Sequence, residues 1–151
     1  MGLCMSAFIY CLAQAYYSLK LFSYIPSDIK NITLVKLNKT WEEALDYCRS
    51  HHTDLISSTS AVDQYLILKE AEGAQSSYVW LGLRLSLISG SWFWVNREPM
   101  VYNNGMQGGH DKCPDSNYCG AMSTEDGIWT NSSCGERMNF ICYTDLPRGS
   151  P

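Results

Sequence analysis

Charge is scarce in this sequence: Asp, Glu, Lys and Arg make up 17% of it, and no run of Lys or Arg occurs anywhere. The 15 acidic residues outnumber the 11 basic ones and leave a formal charge of -4, so the basic stripe of a nucleic-acid binder is missing. No nucleic acid is expected as a partner. Also missing are a Gly-x-Ser-x-Gly elbow, a Walker-type loop and a catalytic acid pair, so no enzymatic activity is expected. There is no internal repeat, which argues against a solenoid or propeller. The one extended apolar stretch meets Lys20 before reaching the roughly 20 residues that a spanning helix needs, so no direct membrane insertion is expected.

What is present fits one domain with a real core: 151 residues, 46% of them apolar. Seven cysteines in so short a chain mean metal, catalysis or disulfides, and the compartment decides which. Leu3 to Ala13 is apolar, and Ala13-Gln14-Ala15 has the small-x-small form of a signal-peptidase site, although no Lys or Arg precedes the run. Met1-Gly2-Leu3-Cys4-Met5-Ser6 also fits a myristoylation pattern, with Cys4 open to palmitoylation; that reading gives a lipid-anchored cytosolic protein. Three sequons, at Asn31, Asn38 and Asn131, favour the secretory route. Cleavage after Ala15 removes Cys4 and Cys11 and leaves Cys48, Cys113, Cys119, Cys134 and Cys142, an odd set.

Thr40-Trp41-Glu42-Glu43 has the form of a capping box and predicts a helix start. Trp41, Ala44, Leu45 and Cys48 then fall on one stripe, which points Cys48 into the core. Ser60 with Asp63 starts a second, shorter helix, with Val62, Tyr65, Leu66 and Lys69 in helical rhythm until Gly73. Tyr78 to Leu83 and Ser91 to Val95 read as strands joined through Ser89-Gly90. Asn96 to Asn117 is a loop of about twenty residues punctuated by Pro and Gly, a length that is usually functional or disordered. Short strands are expected around Tyr118 to Met122, Ile128 to Thr130 and Asn139 to Tyr143, the first two joined by a tight turn at Glu125-Asp126-Gly127. Helices followed by strands argue an α+β fold.

The ordered set of a helix ending in Cys48, Trp80-Leu81-Gly82-Leu83, Trp92-Phe93-Trp94, Cys119, Trp129, Cys134 and Cys142 resembles the C-type lectin-like domain, over Ile32 to Thr144. The resemblance implies two helices, small antiparallel sheets, a long loop, and the bridges Cys48–Cys142 and Cys119–Cys134. Spacing alone leaves the pairing open. The organisation it implies is a signal over 1–15, a lead-in over 16–31, the domain over 32–144 and a tail over 145–151. The tryptophans at 80, 92, 94 and 129 are read as core.

Members of that family that bind sugar through calcium carry Glu-Pro-Asn or Gln-Pro-Asp in the loop, a Glu near its end, and Trp-Asn-Asp on the next strand. Here Trp129-Thr130-Asn131 stands in the last position, with an amide where the motif has a carboxylate. Glu98-Pro99-Met100 lies too close to Trp94, and the true position falls within Met106 to His110, where Gln107-Gly108-Gly109 lacks the motif's Pro and second ligand. Asn117 or Tyr118 replaces the acidic residue before Cys119. Asp111 and Asp115 remain as loop carboxylates, too few for an expected calcium site, and no other cofactor is implied. His110-Asp111-Lys112-Cys113 makes a poor zinc set in an oxidising compartment, and His51-His52 face different ways on a helix.

The expectation is thus an extracellular module recognising a protein or glycan ligand, on a cell surface or in the medium, without the calcium-dependent site; a lectin with a rearranged site is the alternative. Gln107, His110, Asp111, Asp115, Thr130 and Asn131 are the candidate ligand residues. Cys113 is left without a partner and is expected to link a homodimer or to carry a small thiol.

Overall fold

The computed structural model describes residues 30–106 and 117–147, and the compact unit within it runs Lys30–Asp145. Its elements are β1 (Lys30–Lys39), α1 (Trp41–His51), β2 (Asp54–Leu55), α2 (Ala61–Ala71), β3 (Tyr78–Leu85), β4 (Trp92–Trp94), β5 (Tyr118–Ser123), β6 (Trp129–Ser133) and β7 (Met138–Asp145). The fold is α+β, with two helices against one mixed sheet in the order β1-β7-β3-β5-β6; β2 joins β7 and β4 joins β3.

The antiparallel pairing that the resemblance implied is found throughout the described strands except at one parallel pair, where Val79 and Trp80 of β3 run alongside Asn139 and Phe140 of β7. Parallel neighbours need a long connection, and the stretch holding β4, β5 and β6 supplies it.

The capping box forms as read: Thr40 Oγ1 accepts from the Glu43 amide at 3.3 Å and Glu43 Oε2 from the Thr40 amide at 3.1 Å. Trp41, Ala44 and Cys48 are fully buried beneath it. Ser60 caps α2 through the Asp63 amide at 3.1 Å, whereas the Asp63 carboxylate turns back to Thr59. The rhythm of Val62, Tyr65 and Leu66, however, names the outer face of α2: these side chains are exposed, and Gln64, Ile67 and Ala71 are buried. Both sets satisfy helical spacing. A polar Gln leads the inner set, and its burial is compensated by hydrogen bonds to Trp129 and Gly127.

Cys48–Cys142 and Cys119–Cys134 are bonded, with Cα separations of 5.4 and 5.1 Å. The first bridge joins α1 to β7 across 94 residues and the second closes a 15-residue span at the β5–β6 hairpin. Trp41, Trp80, Trp94 and Trp129 are buried, and Trp92 is half-buried. One cluster gathers around Trp41, Trp80 and Phe140, and a second around Trp94, Trp129 and Ile141. β1 is a further strand, with β-branched Ile32, Thr33 and Val35; it pairs with β7 from Lys30↔Asp145 to Val35↔Phe140.

Candidate functional site

The described residues on either side of 107–116, ending at Met106 and resuming at Asn117, form two stems that lie beside the two ends of β6. Met106 is buried, and the Asn103 side chain grips its backbone twice: Nδ2 donates to the carbonyl at 2.6 Å, and Oδ1 accepts from the amide at 2.8 Å. Next to it, the Trp129 amide donates to the Asn104 carbonyl at 2.9 Å, and Asn104 Nδ2 donates to the Gly127 carbonyl at 2.7 Å. Gly105 lies at φ +95°, and a Cβ there would come within 2.8 Å of Ile128, so only glycine suits that position. On the return side, the Cys134 amide donates to the Asn117 carbonyl at 3.3 Å.

The strand between these stems is held from beneath. Gln64 of α2 accepts from Trp129 Nε1 at 2.9 Å and donates to the Gly127 carbonyl at 2.9 Å. Trp94 and Tyr102 meet the Trp129 ring edge-on at 5.3 and 5.8 Å. Trp129 is thereby fixed on the inner side of β6, with Thr130 half-buried and Asn131 exposed beyond it. Neither offers a carboxylate. Gln64 and Asn103 are the positioning residues that the sequence reading missed. The signal for Gln64 was its place in the spacing with Ile67 and Ala71; no pattern singled out Asn103.

Of the candidate ligand residues, Thr130 and Asn131 share β6 beside the loop stems. Gln107, His110, Asp111 and Asp115, with Cys113, lie outside the described residues. Glu98 is committed elsewhere: one carboxylate oxygen pairs with Lys30, and the other accepts from the buried Ser57 at 2.6 Å. Asn96 bridges Ser57 and Tyr143 in the same network, and burial pushes the Tyr143 phenol up from its usual range. His51 stacks on Tyr47, while His52 Nδ1 lies 3.0 Å from the Thr144 hydroxyl, so the two rings part as expected. The sequon asparagines Asn31, Asn38 and Asn131 are all exposed.

Two bridges, two helices and one mixed sheet define a small disulfide-bonded α+β domain. The Lectin C-type domain family matches residues 37–144, and this chain belongs to that family. The human C-type mannose receptor 2 is 33% identical over 104 residues, which cover 68% of this chain and 7% of the receptor. The chain therefore matches a small part of that relative's length. Among solved structures, human lithostathine superposes with a TM-score of 0.67 at 17% identity, covering 80% of this chain and 90% of that one, which shows the shared fold. The mouse scavenger receptor C-type lectin carbohydrate-recognition domain gives a TM-score of 0.66 at 25% identity, over 84% of this chain and 99% of its own.

Proposed function

We propose that the chain is a secreted module that binds a glycan or protein ligand on the face formed by the Asn103–Met106 stem and the start of β6, without the calcium-dependent sugar site. The observation that carries this reading is β6 itself, which presents Thr130 and Asn131, hydroxyl and amide, where a calcium site needs a carboxylate. Glu98 cannot substitute, because both its oxygens are engaged by Lys30 and Ser57. The two bridges support an oxidising compartment over the lipid-anchored cytosolic alternative. The signal over 1–15 and glycans on Asn31, Asn38 and Asn131 belong to the same proposal, as does a Cys113-linked homodimer that would double the binding face.

An array of glycans and cell-surface proteins, probed with the secreted chain in millimolar calcium and again in chelator, tests the reading. Ligands retained equally in both buffers are expected. Binding that vanishes in chelator would overturn it. Non-reducing electrophoresis of wild type and Cys113→Ser tests the dimer, which a wild-type monomer band would exclude.

A further inference from the structure

A cleft of about 400 Å³ opens to solvent where α1 begins and β6 ends, lined by Thr40, Glu42, Asn117, Ser133, Cys134 and Gly135. This volume falls within the range of about 300–1,000 Å³ typical of small-molecule sites. Its walls are fixed: the capping box holds Thr40, and the Trp41 amide donates to the Cys134 carbonyl at 3.0 Å. The Cys134 amide in turn reaches Asn117, and the Cys119 bridge anchors Cys134 from below. Among the described residues the lining offers a carboxylate, an amide and two hydroxyls; Glu42 Oε1 pairs with Arg84 at 3.5 Å, which leaves Oε2 to face a ligand. Such a set exchanges hydrogen bonds with the hydroxyls of a sugar ring.

The occupant follows from what stands beside the cleft. Ser133 is the hydroxyl residue of the Asn131 sequon, and Asn131 lies two residues before it on the same face of β6, about 7 Å away along the strand. A free monosaccharide would bind so open a groove weakly. One tethered to Asn131 is present at an effective concentration of about millimolar or more, without any new contact. We propose that this cleft seats the first N-acetylglucosamine of the chain's own Asn131 glycan, with Glu42 and Ser133 as its principal polar partners. This rests on the secreted, glycosylated reading above. The sugar then ties β6 to the start of α1 and stabilises the domain from outside.

The test uses the full secreted chain carrying Asn31→Gln and Asn38→Gln, so that Asn131 holds the remaining glycan, in versions with Glu42 and with Glu42→Ala. Each is melted intact, trimmed to the first N-acetylglucosamine, and after complete enzymatic release, which leaves an aspartate at position 131, with Asn131→Gln melted alongside so that the lost sugar is separated from the gained charge. Trimming should leave the melting temperature unchanged, and release should lower it by about 4 °C. With Glu42→Ala, release should cost less than half of that, whatever the variant's own baseline. Peptide mapping that finds Asn131 occupied, with no shift on release or the same shift in both versions, overturns the seat. Asn131 unoccupied in secreted protein overturns it as well, and a chain that never enters the secretory route overturns both readings.

Discussion

Gln64 and Trp129, on α2 and β6, meet in the core through a 2.9 Å hydrogen bond from the indole Nε1 to the amide oxygen. The amide nitrogen of the same Gln donates to Gly127, so one side chain fixes both the turn before β6 and its first residue. Gln64→Leu keeps the volume and strands the buried indole donor, and the expected loss is about 2–4 kcal/mol in chemical denaturation. A loss below about 0.5 kcal/mol, the range of ordinary surface substitutions, would show that the knot is incidental.

The two bridges should differ in weight. Cys48–Cys142 closes 94 residues and Cys119–Cys134 closes 15, which chain-entropy reasoning values at about 4–5 and about 3 kcal/mol. Cys48→Ser should therefore block secretion of folded monomer, while Cys134→Ser should pass some through at a lower melting temperature. Secretion titres and thermal melts of both variants decide the order.

Arg97 sits at φ +68° in the turn after β4, a conformation that favours glycine over any side chain. Arg97→Gly relieves that strain at some cost in unfolded-state entropy, and a net gain of about 0.5–1 kcal/mol is expected. Denaturant midpoints would read it, and a destabilised variant would mean the guanidinium makes a contact worth more than the strain.

Glu43 accepts from the Thr40 amide and pairs with Arg137 at 2.9 and 3.2 Å, and the backbone bond first, then the guanidinium, hold its carboxyl below the usual range. A depressed folded value means that its contribution is fully present above the unfolded value of about 4.3 and is lost as pH falls through the lower, folded one. The stability of Glu43→Gln should accordingly fall less steeply than wild type in that acid window. Matched denaturant midpoints from pH 6 down to about pH 3 would show it, and parallel curves would refute it.

Calcium should leave stability unchanged. A site with a dissociation constant of about 0.1 mM, exposed to about 10 mM calcium, would add about 2.7 kcal/mol. A rise of several degrees in melting temperature would show that Asp111 or Asp115 coordinates the ion after all.

Much of this molecule could be read in its residues, for reasons that differ by element. The start of α1 was legible because Thr40 and Glu43 act on each other within one turn. The sites of β3, β4 and β7 were legible because aromatic and β-branched residues cluster there, and those of β5 and β6 because Glu125-Asp126-Gly127 marks the turn between them. The inner face of α2 was not, since Gln64 becomes favourable inside only when Trp129 and Gly127, distant in sequence, supply its partners. Strand β1 escaped for a related reason: its burial is partial, and its pairing with β7 spans nearly the whole domain. In the candidate site, the lack of a carboxylate on β6 was visible at once. The grip of Asn103 on Met106 was not, because an Asn three residues before a Met carries no signal until the chain closes on itself.

The register that sets Lys30 opposite Asp145 puts both ends of the domain at the same point of the sheet. A pull on those ends would peel β1 from β7 pair by pair, from Lys30↔Asp145 through Ile32↔Tyr143, until it reached Cys142. There the covalent link to Cys48 caps the extension, so a pull on the ends cannot draw out the 93 residues between the two sulfurs, the loop stems and β6 included.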